Sequence, residues 1–285
     1  MFAIMGVTGK VGGAAARALR AAGQPVRAIV RDIAQGTPWA AQGCEIAVAD
    51  LGSPEKLAGA FAGARGIFAM LPPVFDPSPG FPEARAMIAS LRAAIVEARP
   101  PRVIALSTIG ADVRRPNLLN QLGLLEEALG SLISPVTFLR PAWFMENAAG
   151  DVASAREGVI RSYLQPLDRA VPMIAAADVG RCVAELLREQ KPARVVELEA
   201  IERTTPIALA AAFARALARP VRAEAVPRGR WETIFRDQGM RNPIPRMQMI
   251  DGFNEGWIDY PDRGAAARKG ATTLDEAIAA LVAAG

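Results

Sequence analysis

Histidine is absent from all 285 residues. Its absence removes the commonest general base, the commonest metal ligand and every serine-histidine triad. Cysteine is scarce, with Cys44 and Cys182 far apart in the chain. One falls in an expected buried strand and the other in an expected helix, which reads as a reduced spectator pair rather than a disulfide or metal site. No apolar run approaches the roughly 18 residues of a membrane span, and the first core strand begins at residue 2, leaving no room for a signal peptide. A cytoplasmic protein without a membrane partner is the expectation. The formal charge is only +4, with acidic residues interleaved among the arginines. A nucleic-acid surface needs a basic stripe or a reading module, and neither is present.

What is present is apolar bulk: 51% of the residues are hydrophobic, enough for one large α/β domain or a domain plus a smaller lobe. The most informative feature is the turn Gly6-Val7-Thr8-Gly9-Lys10-Val11-Gly12. It follows the apolar run from Phe2 directly and leads into an alanine-rich helical stretch ending near Ala22. In such a strand-turn-helix, the first glycine permits the tight turn and the second lets a phosphate approach the backbone. The third lets helix and strand pack closely. Amides at the helix start and the positive end of its dipole would then hold a dinucleotide pyrophosphate.

Apolar runs near 2–5, 26–30, 44–48, 66–71, 102–107 and 136–139 alternate with helical patterns, which predicts a doubly wound parallel sheet of Rossmann type. Ser53 and Pro54 read as the N-cap and first residue of a helix, and the proline-rich segment 72–82 reads as a loop on the ligand edge of the sheet. The spacing predicts a dinucleotide-binding domain over 1–141 and a smaller mixed α/β lobe over 142–285, with the two open to interweaving. In that lobe, 159–164, 194–198 and 221–226 read as extended, and 177–189 and 205–217 as helices. Residues 239–260 show no clear periodicity and read either as a lid over a substrate or as an irregular packed tail.

The second strand ends Val30-Arg31-Asp32, about 20 residues past the glycine turn, where the adenosine ribose is read. An arginine there pairs with a 2'-phosphate, and Lys10 adds a second cation, so NADP (NADPH) is expected over NAD. Asp32 either caps a turn or takes the hydroxyl-binding role. Asp50-Leu51 would meet the adenine or simply end a strand. Leu71-Pro72-Pro73 and Ser107-Thr108-Ile109-Gly110 end the fourth and fifth strands and would flank the nicotinamide.

Together with these motifs, the block Leu139-Arg140-Pro141-Ala142-Trp143-Phe144-Met145-Glu146-Asn147 and the later run Val171 to Gly180 resemble the NmrA-like family of atypical short-chain dehydrogenases. Within it, the chain is similar to the type 2 NAD(P)H quinone oxidoreductases. The resemblance covers nearly the whole chain, and the Leu-Arg-Pro to Glu-Asn block is its most specific part. It implies that Pro141, Ala142, Trp143 and Phe144 pass beside the nicotinamide, with Pro73, Trp143, Phe144 and Asn147 lining the acceptor. Phe144 could equally pack the core, and Arg140 could line the site or form a structural ion pair.

The family includes NADPH-dependent quinone and dye reductases, and also NADP-binding redox sensors that act through a protein partner. The tyrosine acid followed four residues later by lysine, usual in the superfamily, is missing: neither Tyr163 nor Tyr260 has it, and no lysine stands between Lys56 and Lys191. Hydroxyl oxidation is therefore disfavoured. A conjugated acceptor needs orientation more than an acid. Ser107 and Glu126 are the only weak catalytic candidates; Glu126 would orient a substrate or sit on a solvated helix face. No metal is expected, and a homodimer remains open.

Overall fold

Short apolar runs alternate with alanine-rich helices down the first half of the chain. In the structure, a computed structural model that describes residues 1–285, they form a parallel sheet with helices on both faces. The elements run β1 (Phe2–Ile4), α1 (Lys10–Ala21), β2 (Val26–Val30), α2 (Ile33–Ala40), β3 (Glu45–Val48), α3 (Pro54–Phe61), β4 (Gly66–Ala69), α4 (Pro82–Ala98), β5 (Val103–Leu106), α5 (Asn120–Gly130) and β6 (Val136–Pro141). Beyond these come β7 (Trp143–Phe144), a 3-10 helix over Met145–Asp151, α6 (Val152–Arg156), β8 (Val159–Ser162), β9 (Met173–Ile174), α7 (Ala176–Arg188) and β10 (Val195–Ala200). The chain closes with α8 (Pro206–Leu217), β11 (Arg222–Ala225), α9 (Trp231–Asp237), α10 (Ile244–Glu255), β12 (Arg268–Gly270) and α11 (Leu274–Ala284).

The strand order is β12-β10-β6-β5-β4-β1-β2-β3. From β1 the chain first runs outward through β2 and β3, then returns to place β4 on the other flank of β1. That reversal opens a crevice at the carboxyl ends of β1 and β4, the switch point at which open α/β sheets bind ligands. Beyond Pro141 the chain is interwoven with this sheet: β10 pairs with β6, and β12 with β10. What remains of the C-terminal half builds two small parallel pairs, β8 with β11 and β7 with β9.

Helices α1 and α7 cover one face. They approach so closely that a Cβ at Gly180 would stand 2.4 Å from the Ala14 Cβ and 2.7 Å from the Val11 carbonyl oxygen. Leu19, Val183 and Leu187 are buried in this seam, where trimming one leucine to alanine costs about 2–5 kcal/mol. The opposite face buries Leu57, Phe61, Leu91, Ile95 and Leu125, contributed by α3, α4 and α5.

Local signals explain several helix starts. Asp32 accepts from the Ala34 amide at 2.9 Å to cap α2, Thr205 caps α8 ahead of Pro206, and Thr273 with Glu276 forms a capping box on α11. Ser53 does stand at the N-cap of α3, but its side chain makes no cap bond. Cys44 is buried just before β3 and Cys182 within α7, both as free thiols. Residues 239–260, unreadable from periodicity, contain α10. No helix is long and apolar enough to cross a membrane.

Candidate functional site

The glycine turn divides its work among three positions. Gly6 adopts φ +67°, a conformation that L side chains rarely take, and so reverses the chain after β1. A Cβ at Gly12 would lie 2.4 Å from the carbonyl oxygens of Met5 and Gly6, so this position fixes the approach of α1 to its strand. Gly9 differs from both: its φ is −93°, and an added Cβ would meet only the Gly6 oxygen, at 3.3 Å. Nothing of the protein fills the space before it. Thr8, Gly9 and Lys10 are exposed, α1 lacks a side-chain cap, and the amides of Lys10, Val11 and Gly12 find no backbone acceptor. Unpaired amides at a helix start facing open space fit an anionic pyrophosphate.

Arg31 follows β2, exposed and without an ion-pair partner. Asp32 Oδ1 accepts from the Ala34 amide, so its carboxylate caps α2. Asp50 accepts from the Gly52 amide at 2.7 Å and shapes the turn after β3, with Leu51 half-buried behind it.

Near the carboxyl ends of β5 and β6 lies a linked set of charges. Ser107, 5% exposed, donates its hydroxyl to Glu126 Oε1 at 2.5 Å. Arg140 donates from Nε to the same oxygen at 2.8 Å, and from Nη2 to Oε2 at 2.7 Å. Its third nitrogen reaches Asp112 Oδ2 at 2.9 Å. These partners, Glu126 foremost, push the Arg140 pKa up against the opposing effect of burial. Arg140 is therefore a structural ion-pair partner, and Glu126 is not a solvated surface acid. The two weak catalytic candidates are bonded to each other, so neither offers a free proton.

Pro141 and Ala142 are buried and knitted into the sheet, where the Pro141 oxygen accepts from Ile109 and the Ala142 amide donates to Leu198. They shape the crevice through the backbone, not through exposed side chains. Trp143 and Phe144 are half-buried, Thr108 and Leu71 likewise, and Pro72, Pro73 and Asn147 are exposed. Trp143 meets Phe253 of α10 edge-on, with ring centroids 5.1 Å apart.

Sequence reasoning missed how α10 is fastened over this edge. The Asp76 carboxylate accepts from the Arg241 and Asn242 amides at 2.9 and 2.7 Å, and those bonds hold its pKa below the usual value. Asn242 Nδ2 donates to the Pro77 oxygen, and the Leu118 amide to the Pro245 oxygen. Tyr260, which has no lysine four residues on, also acts at long range. It is buried and donates to the Arg140 and Leu198 oxygens, and burial drives its pKa upward. These pairings span 62 to 166 residues, beyond any local pattern. Two cavities, of about 620 and 460 Å3, are also present: one lined by Arg169, Asp259 and Phe253, the other at the amino ends of β5 and β6. Neither touches the glycine turn. No group of potential metal ligands occurs.

The family model described as NmrA-like matches residues 1–276. An NAD(P)H azoreductase of Xenophilus azovorans is 29% identical over 262 residues, covering 90% of this chain and 85% of its own. The NADPH complex of the NADPH-dependent quinone oxidoreductase of Escherichia coli superposes with a TM-score of 0.81 at 22% identity, covering 99% of each chain. Triphenylmethane reductase of Citrobacter sp., complexed with NADP(H), gives 0.79 at 20% identity, covering 99% of this chain and 100% of its own.

Proposed function

The chain belongs to the NmrA-like family, and on that premise we propose that it is an NADPH-dependent reductase of quinone-like or otherwise conjugated small molecules. The observation that carries this reading is the closed network Ser107-Glu126-Arg140-Asp112. It leaves the crevice without a free acid, which suits acceptors whose reduced form is a delocalised anion that solvent can protonate. The relatives agree in kind, being named for the reduction of azo, quinone and triphenylmethane compounds.

Bound NADPH would supply the hydride; the chain's task is to bind, orient and shield. The Lys10, Val11 and Gly12 amides receive the pyrophosphate, Arg31 and Lys10 the 2'-phosphate, and Asp50 with Leu51 flanks the adenine. Leu71, Pro72, Ser107 and Thr108 border the nicotinamide. Trp143, Phe144 and Pro73 supply an apolar wall for the acceptor, with Asn147 at its rim. Helix α10, fastened at Asp76 and packed on Trp143, limits water on that side.

The test is calorimetric titration with NADPH and NADH, followed by absorbance at the nicotinamide band with a panel of quinones and azo dyes. Tighter binding of NADPH, with oxidation by at least one acceptor, is expected. Tight binding with no oxidation by any of them would instead assign a non-catalytic, cofactor-responsive role.

A further inference from the structure

Near the crevice, one half-buried cation has neither a carboxylate nor a carbonyl partner. Arg246 of α10 is half-buried, its guanidinium stacks on the Phe235 ring at 4.6 Å, and its one polar contact is to the Met240 sulfur at 3.6 Å. Other half-buried arginines are satisfied: Arg140 by Glu126 and Asp112, Arg203 by Glu199 and Asp259, and Arg102 by the Leu186, Leu187 and Gln190 carbonyl oxygens. A cation withdrawn from water without a partner is costly to the fold, and burial lowers the Arg246 pKa accordingly.

Its position ties it to the crevice. Residues 246, 249, 250 and 253 share one face of α10 by helical spacing. Met249, Ile250 and Phe253 are buried, and Phe253 meets Trp143. Arg246 thus stands two turns up the helix from the aromatic wall, about 10 Å along its axis. Tyr163 is the one titratable group that acts on it. Burial raises the Tyr163 pKa; Arg246, Gln238 and Arg161 oppose that rise, and Asp151 is the one acid that adds to it. A stacked guanidinium keeps its in-plane N–H fork free, and that fork matches the two oxygens of an oxyanion.

Resting on the reductase reading, we infer that Arg246, assisted by Tyr163 and Gln238, holds a carboxylate or sulfonate on the acceptor. The chain is then selective for aromatic acceptors bearing a negative group about two or three rings away from the atom that is reduced, by the spacing along α10.

Steady-state rates with 2-(4'-sulfobiphenyl-4-yl)-1,4-benzoquinone, whose sulfonate lies two rings from the quinone, and with neutral 2-(biphenyl-4-yl)-1,4-benzoquinone test this. In Arg246→Gln, the ratio of kcat/KM for the sulfonate to that for the neutral quinone should fall about 10- to 100-fold, mainly through KM, the range for losing a charge-assisted contact. Arg246→Lys should restore part of it. An unchanged ratio overturns the inference, and NADPH affinity in each variant confirms the fold. Calorimetry of naphthalene-2-sulfonate with the NADP-loaded protein gives a readout that needs no turnover. Binding that is lost in Arg246→Gln supports the anion site even if no quinone is reduced, in which case it is the reductase reading that fails. Absence of binding to the unaltered protein overturns the anion site even if neutral quinone is reduced.

Discussion

Under the proposed function, the choice between NADPH and NADH falls to single side chains. Arg31 stands exposed at the tip of β2 with no acid to satisfy it, while the neighbouring Asp32 is committed to capping α2. Arg31→Ala should therefore weaken NADPH binding by about 1–3 kcal/mol and spare NADH, as calorimetry with both nucleotides would show. Equal losses would place the 2'-phosphate elsewhere. The glycines of the turn make a paired prediction. Gly9→Leu keeps an accessible backbone conformation and presses only on the Gly6 oxygen, at 3.3 Å, so the variant should melt close to the unaltered temperature yet lose both nucleotides. Gly12→Ala drives a Cβ into two carbonyl oxygens and should lower the melting temperature itself. Asp151 offers a third case, because burial alone lifts its carboxyl from 3.8 to about 6. The folded chain then holds a proton that the unfolded chain releases, so this group's contribution to stability declines as pH rises between those two values, by at most about 3 kcal/mol. Asp151→Asn should thus be more stable than the parent at pH 7.5, with the gain vanishing toward pH 4 in thermal melts.

Among the elements, those held by their own sequence could be read from it. The run Val26–Val30 is a strand as expected, and α7 and α8 fall within a residue of the predicted spans, because each carries an apolar period, to which α8 adds Thr205 and Pro206 at its start. Helix α2 contains Gly36 and Pro38, two residues that discourage helices, yet Gly36 is required there: a Cβ would lie 2.6 Å from the Ile46 side chain. Helix α10 carries Pro245, Gly252 and a mixture of methionine and polar residues, so propensity gives it little definition. Tertiary contacts define it instead, through Phe253 on Trp143 and the loop before it on Asp76. The two arrangements left open for residues 239–260 thus resolve into an ordered element fastened over the strand tips. Asp76→Ala should release that fastening, speeding hydrogen exchange of the Arg241 and Asn242 amides and raising KM for the acceptor more than for NADPH. Unchanged exchange at those amides would show that Leu118 and Trp143 hold α10 without help. Since the bound Asp76 carboxylate has a depressed pKa, its contribution is complete above the ordinary carboxylate range and fades as the solution is acidified through the lowered value.

Taken whole, the molecule shows why the glycine turn was readable while the charges at the tips of β5 and β6 were not. Gly6, Gly9 and Gly12 act within seven residues, so their roles are set by local chain geometry. Arg140 acquires its meaning only when β6 and α5 bring it against Glu126, and Tyr260 only when the chain returns 120 residues later to the Arg140 oxygen. The same long-range closure decides whether residues 1–141 can stand alone. In the intact chain, α7 buries Val11, Ala15 and Leu19 of α1, and Arg102 donates to the Leu186, Leu187 and Gln190 oxygens at the end of that helix. The far flank of β6 is covered by β10. Cutting after residue 141 would leave the helix that carries the phosphate turn with its apolar face in water and β6 with an unpaired edge. The fragment 1–141 should therefore show no cooperative thermal transition by circular dichroism and no NADPH binding by calorimetry, although it contains every residue of the glycine turn together with Arg31. A fragment that melts sharply and binds NADPH would show that the first half is an autonomous nucleotide domain and that α7 and β10 are additions to it. Failure to fold would mean that the nucleotide site depends on the C-terminal half for its rigidity, so that occupancy of the turn and the packing of α7 on α1 are energetically linked across the whole chain.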